Sequence, residues 1–127
     1  MVQSIDEFRT ICPLKEFQYD KITFRNKLGQ GGNAAVYKIS IDDVFYAGKV
    51  YKIEDWCERN GNLETFYECL EYELKIAKKL EKAKYCIQTY GYSFSEGKMI
   101  IIMELLNSEN GDLQKYLSDE KKWKTPI

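Results

Sequence analysis

The sequence predicts an α+β fold: a five-stranded antiparallel sheet with one principal helix, plus a short helix near the N-terminus. Three observations carry that reading. Apolar residues recur at period two in several short stretches, which is the signature of half-buried strands. The connections between those stretches are short enough to require hairpins, and hairpins join antiparallel neighbours. Between residues 63 and 82 the period changes to that of a helix.

The elements follow in order. Ser4-Ile5-Asp6-Glu7 has the form of a capping box, with Phe8 and Ile11 behind it, so a short helix forms there and stops before Pro13. This helix is expected to pack onto the main domain. Ile22, Phe24 and Leu28 suggest a strand that runs into Gly29-Gln30-Gly31-Gly32. Val36-Tyr37-Lys38-Ile39-Ser40-Ile41 alternates after the loop, Asp42-Asp43 marks a tight turn, and a third strand covers 44–51. The helix of residues 63–82 places Leu63, Phe66, Cys69, Leu70, Leu74, Ala77 and Leu80 in one sector, with charged residues opposite. Strands around 88–94 and 98–104 share the Ser95-Glu96-Gly97 turn. Residues 107–110 are a polar connector, and 112–120 suggests a closing helix.

Composition narrows the function. The 127 residues carry 19 Lys+Arg against 20 Asp+Glu, a net charge of −1, which argues against a nucleic-acid partner. With no histidine in the chain, Ser-His-Asp and Cys-His nucleophiles and His-containing zinc sites are excluded. Cys12, Cys57, Cys69 and Cys86 form no C-x-x-C pair and read as reduced thiols, which places the protein inside the cell, in the cytoplasm. The longest apolar run, Met99 to Met103, is too short to cross a membrane.

Gly29-Gln30-Gly31-Gly32-Asn33-Ala34 fits G-x-G-x-x-[G/A]. A dinucleotide-binding loop would open a helix, whereas a strand follows here. A P-loop would end in G-K-[ST], which is absent. A glycine-rich hairpin folded over phosphates is one remaining reading; a turn that uses glycine only for backbone freedom is the other. The motif alone does not decide between them.

Two further signals do. Ala47 and Lys49 share one face of their strand, since alternate side chains point the same way, and a lysine there sits beside the glycine loop. A strand lysine is otherwise usually solvated, as expected for Lys52. On the helix, Glu73 falls in the middle of the apolar sector, flanked by Phe66, Leu70, Ala77 and Leu80. Apart from Glu81, the other acidic residues of the helix lie on the polar face. A carboxylate on an inward stripe is costly unless paired, and Lys49 is the candidate partner. The alternative is a glutamate that reaches out to solvent at the edge.

These residues together resemble the N-terminal lobe of a eukaryotic-type protein kinase. The resemblance divides the chain into an N-terminal extension (1–19), the ATP-binding lobe (20–106) and the start of a C-lobe (107–127), with 111–117 similar to its first helix. It implies that Gly29, Gly31, Gly32 and Ala34 cover ATP phosphates, that Lys49 grips them, and that Glu73 holds Lys49. It further implies that Val36 and Ala47 sandwich adenine, that Met103 is the gatekeeper, and that the Glu104 carbonyl and Leu106 amide bond the base. The implied enzyme is of the serine/threonine type.

The departures are also specific. Ala34 replaces a third glycine, residues 55–62 read as a loop insertion before the helix, and 107–110 lengthen the hinge connector. The 127 residues contain no H-R-D catalytic loop and no D-F-G metal site, so no catalytic or metal-binding residue is assigned, and Mg²⁺ would need the missing C-lobe. The chain is thus expected to bind ATP but to transfer no phosphoryl group alone. A protein substrate is expected only with a C-lobe. The rival reading is a non-catalytic lobe remnant that docks a protein partner through its αC-type helix or through the surface the missing lobe would cover. That surface, near the hinge and Leu113, Tyr116 and Leu117, is also expected to self-associate or hold a partner.

Overall fold

The computed structural model describes residues 4–80 and 87–105. In chain order it contains α1 (Ile5–Ile11), β1 (Lys15–Glu16), a 3₁₀ turn (Tyr19–Lys21), β2 (Thr23–Gln30), β3 (Ala35–Ile41), β4 (Val44–Lys52), α2 (Ile53–Asn60), α3 (Leu63–Lys79), β5 (Thr89–Ser95) and β6 (Lys98–Met103). The class is α+β. The expected connector at 107–110, the closing helix at 112–120, Leu106, Glu81, Cys86 and the 113–117 surface lie outside the described residues.

The sheet corrects the expectation of five antiparallel strands. It has six, in the order β1-β5-β6-β4-β3-β2, and it is mixed because β1 runs parallel to β5. The extra strand is two residues long, pairing Lys15 with Gly91 and Glu16 with Tyr92. The amide of Phe17 then donates to the Tyr92 carbonyl at 2.7 Å, and the Ser93 hydroxyl donates to the Phe17 carbonyl at 2.8 Å. Gly91 permits this approach: a Cβ there would lie 2.2 Å from the Lys15 carbonyl oxygen.

The hairpins form where the turn residues place them. Ile41 pairs with Val44 across Asp42 and Asp43, whose φ values of 50° and 66° are those of a two-residue primed turn. Ser95 pairs with Lys98 across Glu96-Gly97, with Gly97 at φ 72°.

The segment expected as a loop insertion is mostly helix. Ile53 and Trp56 of α2 are buried, Glu54 and Asp55 lie in its first turn and Arg59 in its last. Those charges suit the helix dipole. The Ile53 amide donates to the Gly97 carbonyl at 2.8 Å, and Trp56 meets Phe66 of α3 edge-on at 5.3 Å. Asn62 caps α3 by accepting the Thr65 amide at 2.8 Å.

The buried arc of α3 also differs from expectation. Phe66, Tyr67, Leu70 and Leu74 are buried, whereas Leu63 and Leu80 are 44% and 39% exposed and Cys69 is exposed. At about 100° per residue, Glu73 lies at one margin of that arc rather than at its middle. The arc is rotated because α1 packs beside α3. Fully buried Phe8 meets Tyr67 at 6.1 Å and Tyr92 edge-on at 5.1 Å, so the N-terminal extension belongs to the core. Arg9 and Glu16, joined by two hydrogen bonds of 2.8 and 3.0 Å, tie α1 to β1.

Both faces of the sheet are covered. Val36, Ala47, Tyr51, Met99, Ile101 and Met103 face the helices. Ile39, Ile41, Val50, Ile100 and Ile102 face the other way, against Ile22 and the rings of Phe17, Tyr19, Tyr37 and Tyr46.

Candidate functional site

Of the sequence-derived residues, Val36, Ala47, Lys49, Glu73 and Met103 come together on the helix-facing side of the sheet. Strand pairing sets Gly29 beside Val36, Val36 beside Lys49, and Lys49 beside Ile101. One row thus runs from the glycine hairpin to the centre of the sheet. Two residues along, Ala47 lies beside Met103. Register irregularities between Phe24 and Gly29 bend β2 as it enters the loop.

Lys49 is 1% exposed, and its Nζ lies 3.1 Å from Glu73 Oε1. Glu73 is 34% exposed on its side chain, so water reaches the carboxylate but scarcely the ammonium. Tyr51 shares the strand face of Lys49, two residues on. Its hydroxyl donates to Glu73 at 3.2 Å to Oε2, and Lys49 Nζ stands 5.2 Å from its ring centroid. Glu73 therefore receives two donors from β4 and fixes α3 against the sheet. Tyr51 was not anticipated; the signal for it is its i+2 spacing from Lys49.

The loop is closed at its base by the Gly31 amide donating to the Ala34 carbonyl at 2.8 Å. Gln30 Nε2 donates to the Gly31 carbonyl at 3.3 Å. Ala34, in place of a third glycine, is 7% exposed and packs in the core. Nothing in the fold demands glycine at position 32: its φ is not positive, and an added Cβ would meet no atom within 4 Å.

Val36, Ala47 and Met103 are 0%, 1% and 4% exposed, so the proposed adenine surface is covered in this structure. At the end of β6, Glu104 and Gln88 bracket one another. The Glu104 amide donates to the Gln88 carbonyl at 2.8 Å, and Glu104 Oε1 accepts the Gln88 amide at 3.3 Å. Leu106 lies outside the described residues. Among the described residues, no group of three or more Cys, Asp or Glu is placed to hold a metal ion, and no helix is long and apolar enough to cross a membrane.

The loop tip also meets α2. Arg59 Nη1 donates to the Gly32 carbonyl at 2.8 Å, and Asn60 Nδ2 lies 3.4 Å from Asn33 Oδ1. A hollow of about 200 Å³ lies between them, lined in part by Lys27, Val50, Lys52 and Trp56. No family model matches the chain, and no curated protein matches it.

Proposed function

We propose that this chain carries the ATP-binding lobe of a protein kinase of the serine/threonine type. In a complete domain that lobe would present ATP for transfer of its γ-phosphate to protein hydroxyls. The observation that carries the reading is the Lys49–Glu73 pair at 3.1 Å, joining a central strand to α3 in the same sheet row as the glycine hairpin. Such a lysine is positioned for the α/β-phosphates, and such a glutamate keeps it there. Gly29, Gly31, Gly32 and Ala34 would cover the phosphates. Val36 and Ala47 would hold adenine, with Met103, the Glu104 carbonyl and the Leu106 amide at its edge. Phosphoryl transfer is mostly positioning and charge stabilisation, and these residues supply the nucleotide half of it.

A second reading draws on the covered cleft. With Val36, Ala47 and Lys49 at 0%, 1% and 1% exposure, a lobe that only docks a protein partner needs no opening. In the first reading the cleft must open, and apparent affinity falls by the fraction of molecules that are open.

Calorimetry with ATP and with adenosine separates the two. The kinase-lobe reading expects weak binding of both, and Lys49→Met should weaken ATP while changing adenosine less. A radiolabel assay should show no transfer by these residues alone. Absence of ATP binding at millimolar concentration overturns this reading in favour of the second. Equal loss of ATP and adenosine binding in Lys49→Met removes the phosphate role of the lysine.

A further inference from the structure

We infer that the last turn of α2 is a brace for the glycine loop, with Arg59 as its principal positioning residue. The consequence for nucleotide binding rests on the kinase-lobe reading; the brace itself does not.

Consecutive residues of α2 reach consecutive residues of the loop tip. Arg59 Nη1 bonds the Gly32 carbonyl at 2.8 Å, and Asn60 Nδ2 approaches Asn33 Oδ1 at 3.4 Å. The sequence separation is 27 residues in each case, so neither contact is a by-product of local geometry. The guanidinium contact is charge-assisted, the stronger kind of hydrogen bond.

The platform that delivers Arg59 is fixed at several points. The Ile53 amide bonds the Gly97 carbonyl at 2.8 Å, and Trp56, 9% exposed, packs on Phe66. Asn60 Nδ2 also bonds the Trp56 carbonyl at 3.1 Å, and Gly61 at φ 146° ends the helix with its amide on the Cys57 carbonyl. The loop side has less support. Gly32 and Asn33 are exposed, and the hollow of about 200 Å³ separates the loop from Val50 and Trp56. Polar bonds at the rim of that hollow, rather than packing across it, hold the tip to the helix.

The arrangement gives the loop a connection to α3. Arg59 holds Gly32, α2 packs on α3 through Trp56 and Phe66, and α3 carries Glu73. A chain of contacts thereby links the loop to the Lys49–Glu73 pair through a helix that follows β4 without an intervening loop. A nucleotide whose phosphates lie under the loop would feel the brace, whereas a nucleoside would not.

Hydrogen exchange on the 127-residue protein, followed by mass spectrometry, tests the brace without nucleotide. Arg59→Ala should raise exchange of the 31–34 amides by about three- to tenfold, the effect of losing one solvent-exposed hydrogen bond. Exchange in β5 and β6 should not change, and Arg59→Lys, which keeps a cationic donor, should restore part of the protection. Unchanged exchange at 31–34 in Arg59→Ala overturns the brace. Faster exchange spread evenly over β5 and β6 also overturns it, since Arg59 would then support the fold at large.

The second arm is calorimetry. Arg59→Ala should alter the ATP dissociation constant severalfold and leave that of adenosine unchanged. If the wild-type protein binds no ATP, the kinase-lobe reading fails while the exchange result still decides the brace.

Discussion

A double-mutant cycle on Lys49 and Glu73 is the most direct test of the site's architecture. At 3.1 Å the Coulomb attraction is about 5 kcal/mol for an effective dielectric of 20 and about 1 kcal/mol in bulk water. The pair lies between these limits, because Lys49 is 1% exposed and the Glu73 side chain 34%. Exposed pairs couple by at most about 1 kcal/mol, and breaking a fully buried pair costs about 3–5 kcal/mol. The coupling expected here is therefore about 1–3 kcal/mol. The single variants should differ. Lys49→Met fills the same channel with an apolar side chain and leaves a carboxylate that water and the Tyr51 hydroxyl still reach. Glu73→Gln removes negative charge from beside a lysine that water scarcely reaches, so it should cost more. Urea unfolding of wild type, Lys49→Met, Glu73→Gln and the double variant gives all four corners of the cycle. A coupling below about 0.5 kcal/mol would show that the pair does not hold α3 to the sheet.

Two other expectations concern the segment that completes the sheet. Gly91→Ala should destabilise by about 2–4 kcal/mol, because its Cβ would lie 2.2 Å from the Lys15 carbonyl oxygen and 2.7 Å from the Phe17 ring. Wild-type stability in that variant, measured by urea unfolding, would exclude the β1–β5 pairing. Burial, reinforced by the nearby Glu16 and Cys12 groups, pushes the Tyr92 phenol up to about 12. The folded protein thus keeps a proton that the unfolded chain releases near pH ~10, so the contribution of Tyr92 is full below that pH and is lost as pH rises towards ~12. Between about pH 9 and about pH 12, the wild type should lose up to about 2 kcal/mol relative to Tyr92→Phe. Parallel decline of the two proteins would refute the assignment.

The parts of this fold that local pattern can encode were legible in the sequence. Alternation over 36–41 and 44–51 set two strands, and Asp42-Asp43 set their turn, because side-chain period and turn chemistry are properties of neighbouring residues. β1 was not legible. Two residues hold no period, and the partner is distant: Phe17 and Ser93, bonded just beyond the paired residues, are 76 positions apart. α2 is a different case. Ile53, Trp56 and Cys57 at helical spacing, an acidic first turn, and Arg59 before Asn60-Gly61 form a helix signal. Reading residues 55–62 as extra length between two motifs concealed it.

Glu73 shows how a single outlier can reveal a contact while misplacing the face. Its pairing with Lys49 followed from one charge among apolar neighbours, because an ionised group near a core requires a counter-charge. Its position in the arc did not follow, because the wheel counts Leu63, Cys69 and Leu80 equally with Phe66 and Leu70. Which of them is buried depends on what packs alongside, and Phe8 of α1 draws Tyr67 inward. The same dependence governs the site. The row Gly29–Val36–Lys49–Ile101 continues to Tyr92, which pairs with Glu16 and packs on Phe8. At its other end, the loop beyond Gly29 is tied to Arg59. The two elements that local pattern reading missed or misassigned, β1 and α2, therefore support opposite ends of the row that carries the proposed phosphate contact.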